Sequence, residues 1–134
     1  MNSRERVLAA IAHQEPDGVP VDLGATASSG ISAIAYARWK EYAGIHSGPV
    51  RVYDVVQQLA QPEDAVLEQL HIDAVDLGRV FNQEAAAWRP FTLPGGLGVE
   101  FPAWFHPVEQ PDGSWRAYAP DGTHIATMPA TGTF

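Results

Sequence analysis

The tetrapeptide VDLG occurs twice in this chain, once as Val21–Gly24 in VPVDLGATAS and again as Val75–Gly78 in IDAVDLGRVF. In each copy the valine and leucine alternate with the aspartate, which is the period of a β-strand with one buried face. Helical patterns occupy the chain between the copies. The two copies therefore predict successive parallel strands of an α/β fold, Val19–Leu23 and Ala74–Leu77. Coincidence among common residues is the alternative interpretation.

The two aspartates of these copies are the first candidates for substrate binding. Asp22 and Asp76 are expected on the strand face opposite the apolar residues, near the carboxyl ends of the strands. In α/β barrels this end holds the chemistry, so the two carboxylates are expected to converge near one rim. The alternative role is structural, in which each carboxylate accepts hydrogen bonds from the loop that follows its strand.

Composition limits the class of protein. The 134 residues suffice for one domain, and 46% hydrophobic residues suffice for a core. The formal net charge of −8 argues against nucleic acid and anionic membrane as partners, because both bind basic patches. The absence of cysteine excludes disulfides and thiolate metal sites. The apolar run at residues 7–12 is too short for a secretory signal, so we expect a cytoplasmic protein.

The first helix is predicted at the N-terminus. Asn2 and Glu5 have the spacing of a capping box, in which each residue satisfies an amide of the other. Val7, Leu8 and Ile11 then fall on one helical face, which we expect to be buried. The sequence EPDG ends this helix, because proline and glycine both interrupt helical structure.

Two further helices follow the first VDLG copy. One is predicted from a cap at Ser28 or Ser29 to Gly44. Its expected apolar face consists of Ile31, Ile34, Ala35, Trp39 and Tyr42. The other is predicted from Pro62 to about Leu70, since proline and acidic residues suit a first turn. Residues 50–59 have a mixed period, which fits either a short strand or the start of a helix.

The chain changes character after Asn82, and from Phe91 onward it predicts antiparallel hairpins. The turn sequences PGG, QPDG and APDG separate alternating segments. Proline fixes φ in such turns and glycine accepts a positive φ. The repeated pattern x-P-D-G-[ST] at residues 110–114 and 119–123 is typical of a small antiparallel meander.

Four stretches resemble the uroporphyrinogen decarboxylase superfamily, which includes the corrinoid-dependent methyltransferases. They are RERVLAAIAHQEPDGVPVDLG (4–24), SSGISAIAYARWKEYAG (28–44), VRVYDVVQQLAQPEDAVLEQLHIDAVDLGRVF (50–81) and WRPFTLPGGLGVEFPAWFHPV (88–108). Together they cover most of the chain. The combination of RERVLAA with EPDGVPV resembles the branch related to the methyltransferases.

The resemblance implies the N-terminal part of a (β/α)₈ TIM barrel, with an N-terminal helix and an antiparallel β-hairpin excursion after the second strand. We expect one partial domain over residues 1–134, with the helix and first two βα units at 1–82 and the hairpins at 83–134. A whole barrel needs about 250 residues, so the chain is expected to be inactive without the remaining barrel. The complementary C-terminal barrel half or a corrinoid protein is the expected partner.

The resemblance favours the methyltransferase activity over the decarboxylase activity. Decarboxylases of the superfamily carry an Arg-Gln-Ala-Gly-Arg segment after the first strand, whose arginines bind substrate carboxylates. The matching segment here, Gly24–Ser28, has no cation. Uroporphyrinogen decarboxylation, a step of tetrapyrrole biosynthesis, is therefore the alternative.

Cofactors are expected only in a complete enzyme. Methyltransferases of this branch activate a thiol acceptor with zinc, which is held by histidine and cysteine residues later in the fold. A chain without cysteine cannot supply that set. We therefore expect no metal or cofactor bound by this chain alone, with zinc and a corrinoid partner implied for the whole enzyme.

Four more residues are candidates for substrate binding. Thr26 lies in the segment after the first predicted strand, Tyr53 and Asp54 precede an apolar run, and Arg79 follows the second predicted strand. Arg79 is suited to an anionic group, although a lone arginine more often forms a surface salt bridge. Asp54 has the alternative role of a helix cap. A third interpretation of the whole chain is a non-catalytic module that binds a protein through the meander.

Overall fold

The computed structural model of the chain describes residues 1–78 and 82–134. This part contains three α-helices, α1 (Ser3–Ile11), α2 (Ala33–Tyr42) and α3 (Asp64–Gln69). Short 3₁₀ helices occupy Ala27–Ser29 and Ala85–Ala87. None of the helices described is long and apolar enough to cross a membrane.

Seven short strands in the described part form small antiparallel sheets. A hairpin pairs β1 (Val52–Asp54) with β2 (Leu59–Ala60). The segment 50–59, which fitted either a strand or a helix, is therefore a strand followed by a turn. A second hairpin pairs β3 (Trp88–Thr92) with β4 (Gly98–Pro102). The third sheet has the order β5 (Val108–Glu109), β6 (Trp115–Tyr118) and β7 (His124–Met128). The two Pro-Asp-Gly turns connect the strands of this meander, as their sequence predicts.

The predicted parallel strands, and the barrel to which they would belong, are wrong. Neither Val19–Leu23 nor Ala74–Leu77 forms a strand, and the two segments meet at an isolated parallel bridge between Asp22 and Ala74. The sheets of the described residues are antiparallel, and none closes into a barrel. The chain is a small mixed fold of short helices and hairpins, and not the N-terminal part of a TIM barrel.

Side chains occupy backbone amides that a parallel ladder would need. The Val21 amide donates to the Asp73 carboxylate at 3.0 Å, and the Gly78 amide donates to Asp76 at 3.0 Å. Pro20 has no amide to donate. Such side-chain hydrogen bonds compete with regular secondary structure. The two segments nevertheless stay adjacent, joined by a hydrogen bond from the Asp73 amide to the Val21 carbonyl at 2.8 Å.

Helix α1 begins with the predicted capping box. The Glu5 amide donates to Asn2 Oδ1 at 2.9 Å, and the Asn2 amide donates to Glu5 Oε2 at 3.0 Å. The predicted buried face is wrong, because Leu8 and Ile11 are 51% and 69% exposed whereas Ala9 is buried.

Arg6 explains the orientation of α1. Its guanidinium donates to the carboxylates of Asp17 and Asp73, and the side chain of Asp73 is almost completely covered. Arg6 and Ala9 are three residues apart and share a helical face. The ion pairs therefore turn this face inward, and the apolar face predicted from spacing stays in solvent.

We expect acid to destabilise this anchor. The pKa of Asp73 is lowered chiefly by the Val21 amide, and that of Asp17 chiefly by the hydrogen bond from Arg6. A carboxyl whose pKa is lowered by folding stabilises the fold above its unfolded value of 3.8, and this contribution is lost as the pH falls through the folded value. The free energy of unfolding, measured by denaturant titration, should therefore decrease below about pH 4.

The variant Asp73→Asn tests the source of that acid dependence. It should be less stable than the wild type at pH 7 and should lose less stability on acidification. Glu15→Gln is the control, because it removes an exposed carboxylate that makes no ion pair in the described part of the chain. An unchanged acid dependence in Asp73→Asn would contradict the prediction.

The face predicted for helix α2 is buried only in part. Ile31 and Trp39 are partly buried and pack against the core. Ile34 and Tyr42 are exposed, and Tyr42 is 90% exposed. The buried residues are spaced three and four apart and are Ala33, Tyr36 and Lys40. The cap is Ser32, whose Oγ accepts the Ala35 amide at 3.3 Å, whereas the predicted caps Ser28 and Ser29 lie in a 3₁₀ helix.

Polar partners select the buried face of α2. The hydroxyl of Tyr36 accepts the Glu63 amide at 2.8 Å. The Lys40 ammonium donates to the Glu63 carboxylate and to the carbonyls of Ser47 and Gly48. These contacts fix α2 against Glu63, which precedes α3.

An aromatic cluster joins the hairpins to the meander. Phe91 of β3 stacks on Phe101 of β4 with ring centroids 4.2 Å apart, and its edge contacts Trp115 of β6 at 5.0 Å. Phe105 packs against Phe101 at 5.8 Å. Burial of these rings supplies much of the apolar contact that holds the sheets together.

The residues just before β1, the first strand of the β1–β2 hairpin, attach to β4. The Glu100 amide donates to the Val50 carbonyl at 2.8 Å, and Arg51 Nε donates to the Glu100 carboxylate at 2.9 Å. The Arg51 guanidinium also lies over the ring of Trp88, 5.1 Å from its centroid. These contacts fix β1, and with it Tyr53, between the VDLG segments and the aromatic cluster.

Candidate functional site

Tyr53 of β1 carries the most unusual polar atom of the described residues. Its hydroxyl oxygen is buried and has no hydrogen-bond partner among residues 1–78 and 82–134. A buried hydroxyl without a partner costs stability, so native structures rarely keep one unless it has another role. No other side-chain nitrogen or oxygen in the described part is buried in this way.

Three candidate carboxylates act on this hydroxyl. The pKa of Tyr53 is raised, first by burial and then by the negative charges of Asp54, Asp76 and Asp22. A raised pKa keeps the phenol protonated at neutral pH, so it is available as a hydrogen-bond donor. The structure therefore brings both VDLG aspartates into the surroundings of one side chain, although the strands expected to carry them are absent.

A small cavity lies beside Tyr53. It has a volume of about 100 Å³ and is lined by Gly24, Tyr53, Gln61, Pro62, Asp76, Gly78 and Asn82. We call it the Tyr53 cavity. One glycine from each VDLG copy lines this cavity, so both tetrapeptides contribute to its wall.

The two glycines serve the Tyr53 cavity in different ways. Gly24 has a φ of +79°, and a Cβ there would lie 3.2 Å from Pro62 Cδ, so both conformation and space favour glycine. A Cβ on Gly78 would lie 2.7 Å from Asp76 Oδ2. The second glycine thus leaves room for a carboxylate oxygen at the cavity wall.

Each candidate aspartate also has the structural role considered as its alternative. Asp22 Oδ1 accepts the Ala25 amide at 2.9 Å, and Asp76 Oδ1 accepts the Gly78 amide at 3.0 Å. For both residues, Oδ2 makes no hydrogen bond within the described part of the chain. One oxygen of each side chain thus shapes a turn, and of the two aspartates only Asp76 lines the Tyr53 cavity.

Of the remaining candidates, Asp54, Thr26 and Arg79, the two that the structure describes do not line the Tyr53 cavity. Both oxygens of Asp54 accept hydrogen bonds from the turn after β1, including the Val56 amide at 2.9 Å, and not from a helix. Thr26 begins the first 3₁₀ helix and does not line the Tyr53 cavity. Arg79 lies outside the described residues.

A second cavity adjoins the first. It has a volume of about 440 Å³ and is lined by Ser47, Gly48, Pro49, Arg51, Gln61, Pro62, Glu63, Asp64, Ala65 and Gln83. We call it the Arg51 cavity. Gln61 and Pro62 line both cavities, and the successive residues Asn82 and Gln83 line one each. The two spaces therefore lie side by side along the Gln61-Pro62 wall.

Sequence reasoning missed the amide side chains of these walls. Gln61 and Asn82 belong to no recognisable motif, and Pro62 was interpreted only as the start of a helix. The hairpin β1–β2 brings Gln61 next to Tyr53, and only the tertiary fold shows this. Arg51, which follows Val50 in an apolar run, likewise gave no signal beyond its charge.

A larger cavity than these two lies elsewhere. This groove of about 610 Å³ runs along β3, β4 and β6, and its lining includes Pro90, Phe91 and Trp115. It is wide open, and it contains no buried polar atom that lacks a partner. The Tyr53 cavity is smaller but is lined by the residue with the buried, unpaired hydroxyl.

The described residues do not fit the zinc site that the superfamily resemblance implies. They contain no group of three or more His, Cys, Asp or Glu side chains placed to hold a metal ion. These 134 residues also contain no cysteine, so they cannot supply the cysteine ligands of such a zinc site.

No protein-family model, curated protein or solved structure matches this chain. The likeness to the uroporphyrinogen decarboxylase superfamily therefore stays a prediction from the four stretches quoted above.

Proposed function

We propose that this chain contributes the substrate-binding surface of a cytoplasmic uroporphyrinogen decarboxylase-like enzyme of the corrinoid-dependent methyltransferase type, with the Tyr53 cavity as its binding site. The observation that carries the proposal is the buried, unpaired hydroxyl of Tyr53 at a cavity that both VDLG copies line. A ligand acceptor placed there would satisfy the hydroxyl. The small volume suits one functional group of a small molecule and not a whole macrocycle.

Charge supports the methyltransferase over the decarboxylase. The carboxylates of Asp22, Asp54 and Asp76 all act on Tyr53, so the surroundings of the cavity are negative. Uroporphyrinogen carries many carboxylates, which such surroundings repel. None of the described residues that line the Tyr53 cavity is a cation that could neutralise them.

The chain's own residues have limited roles in this proposal. Tyr53 donates a hydrogen bond, Asp76 accepts one, and Gly24 and Gly78 provide room at the walls. Zinc, which would lower the pKa of a thiol acceptor, is assigned to a second polypeptide because the described residues do not fit it. The second polypeptide and a methylated corrinoid protein are the proposed partners.

Tyr53→Phe tests the site. We expect this variant to keep or slightly increase the free energy of unfolding, because it removes a buried unpaired polar atom. Methyl transfer from methylcobalamin to a thiol, assayed with a co-expressed polypeptide that supplies the zinc ligands, is expected to fall about tenfold or more, since a lost hydrogen bond to the substrate removes about 1.5 kcal/mol.

Tyr42→Phe is the matched control, because Tyr42 is 90% exposed and lines neither cavity. It should leave both stability and transfer unchanged. Absence of association with the second polypeptide together with absence of transfer would refute the enzymatic proposal. Transfer that is equal in Tyr53→Phe and the wild type would remove Tyr53 from the binding site.

A further inference from the structure

The charged residues differ between the two cavities: the Tyr53 cavity is lined by one acid and no cation among the described residues, whereas the Arg51 cavity is lined by two acids and one cation, which is paired with Glu100. Asp76 lines the first, and the charges of Asp22 and Asp54 reach Tyr53 beside it. Arg51 is the one cation among the described residues that line the second. Gln61 and Pro62 belong to both walls.

The Arg51 guanidinium has hydrogen-bond donors that are not used within the described part of the chain. Its Nε donates to Glu100, and its plane is held over the ring of Trp88. Its terminal nitrogens make no hydrogen bond within the described part of the chain. The side chain is 26% exposed, so a ligand can reach it. A guanidinium positioned in this way suits a bidentate contact with a carboxylate.

Two acidic residues also line the Arg51 cavity. The charge of Glu63 is balanced by the ammonium of Lys40. Asp64, at the start of α3, opposes an anion there, so a carboxylate is expected at the Arg51 side of the cavity and not at the α3 side.

We infer that the two cavities together bind a small zwitterion, with its ammonium group at Asp76 and its carboxylate at Arg51. The inference rests on the proposed function and names its substrate class. In the first cavity an ammonium group can donate to Asp76 Oδ2, which makes no hydrogen bond within the described part of the chain. A purely cationic or purely anionic molecule satisfies only one end.

A series of ω-amino acids tests this inference with the whole chain. Glycine, β-alanine, 4-aminobutyrate and 6-aminohexanoate are titrated, with butylamine and butyrate as single-charge probes. Binding is followed by amide chemical shifts in nuclear magnetic resonance spectra. We expect one chain length to bind about tenfold more tightly than either single-charge probe, because a second charge-assisted hydrogen bond is gained.

Variants then assign the two ends. Arg51→Gln should lower the affinity for the best-binding amino acid to that of the wild type for butylamine. Asp76→Asn should lower the same affinity to that of the wild type for butyrate. Arg116→Gln, which removes an exposed arginine outside both cavities, should change nothing. Arg51→Lys keeps the charge without the bidentate geometry and should give an intermediate affinity. Dispersed amide spectra confirm that each variant is folded.

The possible failures can be told apart. Amino acids that bind no more tightly than butylamine would overturn the zwitterion inference, whereas Asp76-dependent binding of butylamine would leave the Tyr53 cavity as the proposed binding site. Binding of neither amino acid nor amine would overturn the inference, and methyl transfer then tests the proposed function separately. Because the length series uses the wild-type chain, an unfolded variant would still leave the inference testable.

Discussion

Replacement of Phe101 by alanine is expected to cost about 3–5 kcal/mol of the free energy of unfolding. Phe101 is fully buried, stacks on Phe91 and packs against Phe105. Its removal takes away buried apolar surface and leaves a cavity where the second hairpin meets the meander. Domains of this size have a total stability of about 5–15 kcal/mol. A loss of that size therefore brings the chain close to unfolding.

Denaturant titration followed by tryptophan fluorescence measures this loss. Trp104→Ala is the control, since Trp104 is an aromatic residue only three positions away but is 71% exposed. We expect that variant to lose about 1 kcal/mol or less, because surface substitutions usually have small effects. Similar losses for Phe101→Ala and Trp104→Ala would show that the aromatic cluster is not the centre of the core.

Replacement of Lys40 by alanine is expected to cost about 2–4 kcal/mol, because it leaves the partly covered Glu63 carboxylate without its cation. The Lys40 side chain is 7% exposed and that of Glu63 is 20% exposed. Two backbone carbonyls, of Ser47 and Gly48, lose a hydrogen-bond donor as well. Ser47 Oγ still donates to Glu63 at 3.0 Å, so the carboxylate keeps one partner.

Two comparisons separate lost charge pairing from other effects. Arg38→Ala changes an exposed cation on the same helix and should cost little. The double variant Lys40→Met/Glu63→Gln removes both charges and should recover part of the stability lost in Lys40→Ala. Thermal and denaturant unfolding measure these differences. Equal stability of Lys40→Ala and Arg38→Ala would disprove the role assigned to the buried pair.

Local chemistry allowed part of this fold to be predicted. The capping box of α1, the start of α3 near Pro62 and the meander turns depend on residues a few positions apart, and each forms as its sequence indicates. Pro-Asp-Gly fixes a turn by backbone conformation alone, so distant parts of the chain have little influence on it.

The helix faces could not be predicted in the same way. Apolar spacing assumes that the apolar side of a helix is buried, but Arg6 and Lys40 reach carboxylates far along the chain. These ion pairs bury the sides of α1 and α2 that carry the cations. Asp73 and Glu63, their partners, could be identified only from the tertiary structure.

The barrel prediction was wrong because alternation describes side chains and not backbone pairing. Both VDLG segments alternate, yet the amides of Val21 and Gly78 donate to carboxylates, and Pro20, just before the first copy, has no amide hydrogen. The convergence of Asp22 and Asp76 near Tyr53 depends on a bridge at Asp22 and Ala74 and not on strands. Asp22 and Asp76 thus both act on Tyr53 although the expected strands do not form, and their role in substrate binding stays a prediction.

The attachment of α1 has a consequence for partial opening of the molecule. Ala9 is its one fully covered apolar residue, so charge pairing at Arg6 holds this helix more than hydrophobic contact does. Salt weakens exposed charge pairs and leaves the aromatic cluster largely unaffected. We therefore expect helix α1 to be a local unfolding unit, which detaches and returns while the remainder of the protein stays folded.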